Sequence, residues 1–143
     1  MSYKIVGKYI KNLNFNIPNP KTFFTLSENI SNYKITFDIK STQIKEKIIE
    51  VVTSLNLLPL KDNFEKIDTN IIFSTIIELE TNITDKKEIE KIVLIDVPTK
   101  IYPELRKIFI FIFENSGFKN INISEKVDFN ELYEKKISKR NFS

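Results

Sequence analysis

The chain has 143 residues, of which 41% are hydrophobic and 29% charged, with a net charge of +3. That composition suits a folded chain with a real core and excludes global disorder. There is no Cys, no His and no Trp, and only two glycines, Gly7 and Gly117; disulfides, Cys/His zinc sites, histidine acid–base chemistry and glycine-rich phosphate loops are therefore excluded. The opening stretch MSYKIVGKYIKN is interspersed with lysines and lacks an apolar run, so it does not read as a signal peptide. No stretch approaches the roughly 18 apolar residues of a membrane span. A cytoplasmic protein without membrane insertion is expected. Of 22 basic residues, 20 are Lys and only Arg106 and Arg140 are Arg. Base reading favours the planar Arg fork, so the excess of Lys over acids in residues 1–45 reads as a solvated strand face and not as a nucleic-acid site.

The first half of the chain alternates with period two, the pattern of half-buried strands. In the first strand the odd positions Tyr3, Ile5, Tyr9, Leu13 and Phe15 are expected on one face. In the second, Tyr33, Ile35, Phe37 and Ile39 oppose Lys34, Thr36, Asp38 and Lys40. Ile49, Val51, Thr53, Leu55 and Leu57 repeat the pattern, as do Ile71, Phe73, Thr75, Ile77 and Leu79. Four such strands without intervening helices predict an antiparallel sheet with one wet face. Between the first two strands, Pro18 and Pro20 are expected to rule out regular structure. That connection carries Ile17, Phe23, Phe24, Leu26 and Ile30, which either pack over their own core or wall an apolar groove.

After residue 83 the period becomes helical. Thr84 is the expected cap of a helix over 84–95 with Ile89, Ile92 and Val93 on one side. Pro103 and Glu104 suit a first helical turn, and Gly117 a left-handed stop. Residues 103–116 are thus predicted helical, although IFIFIF has strand-like composition. Leu105, Ile108, Phe109 and Ile112 form one stripe, extended by Ile110, Phe111 and Phe113. So much apolar surface asks for cover beyond one sheet, from a second copy of the chain or from the 84–95 helix. A last helix is predicted to start at Asp128, with Glu131 three residues on. Scattered acids and lysines such as Asp96 and Lys100 read as surface groups, so an enzyme is not expected.

Three blocks, in this order, carry a family resemblance: YIKNLNFNIPNPKTFF, IYPELRKIFIFIFENSGF and VDFNELYEKK. The first resembles the opening signature of SecB, the bacterial protein-export chaperone, with an aromatic, a Lys and a Phe leading into a Pro-Asn turn. The second is similar to that family's main helix, and the third to its last helix. The resemblance covers residues 3–136 and implies an α+β fold in which helices pack on one face of a four-stranded antiparallel sheet. It implies one SecB-like domain over 1–143, with strands within 3–80 and helices within 84–138. It also implies a homotetramer, a dimer of dimers, that holds unfolded preproteins in apolar grooves and passes them to the SecA motor with no cofactor or metal. Carried over, Phe23, Phe24, Ile30 and Phe73 would line the groove, and Leu105, Ile108, Phe109 and Ile112 would serve assembly. Where the family has acidic groups for SecA docking, this chain has Asn12 and Asn16. Two alternatives stand beside this reading: a SecB-like chaperone of an antitoxin, and a domain enclosing a small apolar ligand.

Overall fold

A computed structural model of the chain describes residues 2–61, 67–119, 121 and 123–142, and of 136–142 only the backbone. Its strands β1 (Tyr3–Asn16), β2 (Tyr33–Lys45), β3 (Ile48–Pro59) and β4 (Asp68–Leu79) form one antiparallel sheet in the order β1-β4-β3-β2. β3 and β4 are central, and their odd-numbered residues from Ile49 to Leu57 and from Thr69 to Leu79 are buried on a common inner face. Tyr33, Ile35, Phe37 and Ile39 of β2 lie on the same face through their pairing with Pro59, Leu57, Leu55 and Thr53. β2 is an edge strand, however, and three of those four side chains are only half-buried. The period-two reading of strands two to four therefore matches the sheet.

For β1 the expected face assignment fails at Tyr9. Bulges between Ile5 and Gly7 and between Ile10 and Asn12 each shift the register by one residue. A one-residue slip turns every following side chain to the other face, and the second bulge reverses the first. The inner-face residues are consequently Tyr3, Ile5, Lys8, Ile10, Leu13 and Phe15, paired with odd positions of β4. Tyr9 points outward opposite Ser74, where its hydroxyl reaches Glu50. Glu50 also accepts from Ser74 Oγ at 2.7 Å and from Lys11 Nζ at 3.1 Å. Those donors, Ser74 foremost, hold its carboxyl below the usual value of 4.5.

The connection after β1 is not irregular. Helix α1 spans Pro20–Asn29, with Pro20 in its first turn and Asn19 Oδ1 accepting from Thr22 N at 2.9 Å. Proline breaks a helix interior but suits the first turn, where its missing N–H has no partner to lose. Leu26 and Thr22 are the buried side of this short helix, and a 3-10 turn over Ile30–Asn32 leads into β2.

Two predicted helices are likewise one rod. Helix α2 (Lys86–Lys91) starts at Asp85 and not Thr84, because the Asp85 carboxylate accepts from Lys87 N. A π turn, Ile92–Asp96, then runs directly into α3 (Val97–Asn115). The wide turn closes Val97 N–H on Ile92 O and carries the rod past Pro98, which has no N–H to donate. Pro103 therefore lies inside α3 and does not open it. The far end is as expected. Gly117 has φ +92°, its N–H reaches Glu114 O, and Phe118 N–H reaches Phe113 O, the two bonds of a Schellman stop. The Phe113 and Phe118 rings, 5.3 Å apart, supply the accompanying apolar contact. α3 lays Val97, Ile101, Leu105, Phe109 and Phe113 on the inner sheet face. Each such side chain contributes roughly 1.5–3 kcal/mol on burial. α4 (Phe129–Phe142) is capped by Asp128 Oδ1 accepting from Glu131 N at 3.0 Å. Phe129 and Tyr133 anchor it, while Leu132 is exposed.

Candidate functional site: an apolar groove on the edge strand

Because β2 is an edge strand, α3 covers only part of its inner face. What remains is floored by Tyr33, Ile35 and Phe37 and flanked by Tyr102 and Phe109 of α3. Ile121, Ile123 and Val127, from the segment between α3 and α4, form the opposite wall. This hollow measures about 450 Å³. It shares Ile30 and Ile121 with a second of about 350 Å³, lined by Phe23, Phe24, Gly117 and Phe118. At its other end Phe37 also borders a third of about 180 Å³, between Ile39, Leu94 and the start of α4. The three hollows are consecutive and open to the surface. From Tyr33 to Ile39 the floor alone runs about 20 Å at roughly 3.3 Å per residue, room for several residues of extended chain.

Aromatic packing gives the groove a firm lining. Tyr102 meets Phe37 edge-on at 5.6 Å, and Phe37 meets Phe129 at 5.3 Å. Phe23 packs on Phe118 at 4.9 Å and on Phe24 at 5.5 Å. Phe24 itself is 61% exposed, a large aromatic group presented at the groove's lip. Burial raises the Tyr102 hydroxyl above its ordinary pKa of 10.0, so it stays a neutral donor. Among the described residues no cluster of three or more potential metal ligands occurs, and no helix is long and apolar enough to cross a membrane.

Three of the four expected groove residues, Phe23, Phe24 and Ile30, come together here. Phe73 does not. It is 4% exposed on the inner face of central strand β4, in the core beneath α3. The sequence reading missed the floor of β2 and the wall of Ile121 and Ile123. The alternation of Ile121 and Ile123 was an available signal for an extended apolar wall.

The expected assembly stripe also needs correction. Leu105 and Phe109 are 0% and 2% exposed within the single chain, so neither is free to meet a partner. Ile108 and Ile112 are half-buried, and Phe111 is 65% exposed. The ion pair of Lys8 with Glu104 and the ring contact of Phe15 with Phe113 place one flank of α3 over β1. Glu104, Ile108 and Phe111 share that flank at helical spacing. Beside them β1 presents exposed Ile5, Val6, Tyr9, Ile10 and Leu13 along an open sheet edge. Asn12 and Asn16 sit on the outer face of β1 opposite Ile72 and Asp68, and both are exposed. They share that face with Asn14, Asn56 and Asn70.

The family model described as preprotein translocase subunit SecB matches residues 1–140. The chain belongs to the SecB family. A Pelagibacter ubique protein that carries the SecB name is 38% identical over 137 residues, covering 96% of this chain and 98% of that protein. The protein-export protein SecB of Anaplasma phagocytophilum is 22% identical, with 94% of this chain and 92% of the relative covered. That of Rhodospirillum rubrum is 29% identical over 93% of this chain and 81% of the relative. Among solved structures, the SecB-like chaperone of Mycobacterium tuberculosis in complex with a ChAD peptide from the HigA1 antitoxin superposes with a TM-score of 0.59. It has 11% identity and covers 86% of this chain and 90% of that one. The sheet with helices on one face is thus a SecB-like fold, and the family is one of chaperones, not enzymes.

Proposed function

We propose that the protein is an ATP-independent holdase that keeps unfolded preproteins translocation-competent in the cytoplasm and hands them to SecA. The observation that carries this reading is the continuous apolar groove on β2 in a chain of the SecB family. Unfolded segments offer apolar side chains and an extended backbone, and a long aromatic groove takes these without demanding one sequence. Hollows open along their length favour a polypeptide over an enclosed small ligand. Family membership with protein-export relatives favours export over antitoxin guarding.

Several grooves on one assembly would raise avidity for one long client without any new contact. We place the homotetramer's first contact at the open β1 edge together with the Ile108 and Phe111 flank of α3. SecA would meet the outer face around Asn12 and Asn16 through neutral amides. The test combines native mass with capture of a reduced, unfolded model protein by the wild type and by Phe24→Asp. The wild type should assemble and suppress aggregation. The variant should capture less while unfolding at nearly the same denaturant concentration, since Phe24 is exposed. A monomeric wild type that leaves aggregation unchanged refutes the proposal.

A further inference from the structure

One wall of the groove comes from a segment with no helix or strand among its described residues. α3 stops at Gly117, α4 starts at Phe129, and Phe118 and Phe129 are buried at either end of the intervening segment. Among the described residues, two side chains of α3 donate to that wall's backbone. Tyr102 Oη donates to Ser124 O at 2.5 Å, and Arg106 Nε donates to Ile123 O at 3.2 Å. Residues 102 and 106 are neighbours on one helix face, and the two carbonyls are consecutive. Such a pair fixes the distance of the wall and also its tilt.

The donor types suit the task. Arg106 is one of two arginines in a chain with 20 lysines. Its Nε–H belongs to a planar fork with a set direction, whereas an ammonium rotates freely on a flexible stem. Tyr102 is 3% exposed, and a buried tyrosine hydroxyl requires a partner, which Ser124 O supplies. Its ring borders the main hollow against Phe37 while its hydroxyl holds the facing wall.

We propose that Tyr102 and Arg106 are positioning residues that set the groove's width, and so the girth of the apolar side chain it admits, by pinning Ile123 and Ser124. This rests on the holdase reading. With both pins in place the wall stands at a fixed separation from Ile35 and Phe37 and favours side chains of aliphatic size. Without them the wall yields and large aromatic groups gain relative to small ones.

The full chain is compared as wild type, Tyr102→Phe, Arg106→Lys and the double variant. Tyr102→Phe keeps the ring and Arg106→Lys keeps the charge, so packing and net electrostatics are preserved. Each protein is titrated with two fluorescent peptides that differ only in a central Val or Trp, and amide exchange over 123–127 is followed without peptide. The double variant should raise the Trp-to-Val affinity ratio about fivefold, the factor that corresponds to one net hydrogen bond. Its 123–127 amides should exchange faster. Equal weakening of both peptides, an unchanged ratio or unchanged exchange overturns the proposal. A wild type that binds neither peptide defeats the holdase reading and the width role with it. Faster exchange in that case would leave the two bonds as fold-stabilising contacts only.

Discussion

Phe109→Ala tests which side of α3 the subunit covers by itself. Phe109 is 2% exposed, stacks on Phe113 with ring centroids 4.5 Å apart, and lies over the sheet. Truncating a buried Phe to Ala costs roughly 3–5 kcal/mol from lost transfer energy and the cavity left behind. Phe109 also borders the 450 Å³ hollow, so part of the vacated space opens to water and is not a sealed void. We therefore expect the lower end, about 3 kcal/mol, which is a large share of a domain stability of about 5–15 kcal/mol. Phe111→Ala is the matched control: two positions along, 65% exposed, and expected to change subunit stability by no more than about 0.5 kcal/mol. Urea unfolding followed by far-ultraviolet circular dichroism, at several protein concentrations to separate folding from assembly, measures both. If Phe109→Ala costs less than about 1 kcal/mol, or Phe111→Ala costs more than it, the assignment of α3's buried face is wrong.

Three further outcomes are expected. Gly117→Ala places a Cβ 3.2 Å from the Phe23 ring at a φ of +92°, so it should lower stability by about 1–2 kcal/mol in urea unfolding and displace the groove's aromatic lip. The Glu50 carboxyl is held below its ordinary 4.5 by Ser74 and Lys11. Its contribution is therefore complete above the unfolded-state value and lost as pH falls through the lower folded value. Urea midpoints measured from about pH 6 down to about pH 3 should fall less steeply in Glu50→Gln than in the wild type, and parallel curves would contradict this. Thr53 is fully buried on the inner face, and its hydroxyl has no hydrogen-bond partner among the described residues. Thr53→Val, of similar shape, should raise the unfolding free energy by about 1 kcal/mol, and a loss would show that the hydroxyl is satisfied.

Much of the architecture was readable wherever one residue type has one physical consequence. Alternation in β2, β3 and β4 gives the buried face, Asp128 caps α4, and Gly117 stops α3 because a left-handed residue costs glycine little. Prolines were read too strictly. Pro20 was expected to rule out regular structure and Pro103 to open a helix, yet Pro20 lies in the first turn of α1 beside its Asn19 cap and Pro103 in the body of α3. The β1 bulges left no mark in the pattern, so Tyr9 was placed on the wrong face.

The sequence by itself determined the sheet with its helical cover, the absence of Cys and His chemistry, and the SecB family. It could not say which apolar side chains are covered and which are offered, since alternation reports a face and not that face's neighbours. Strand order decided that. In the order β1-β4-β3-β2, Phe73 falls on a central strand and is sealed beneath α3, whereas Ile35 and Phe37 fall on an edge that α3 does not fully cover. The groove exists because one helix spans the middle of a four-stranded sheet and leaves its margins open.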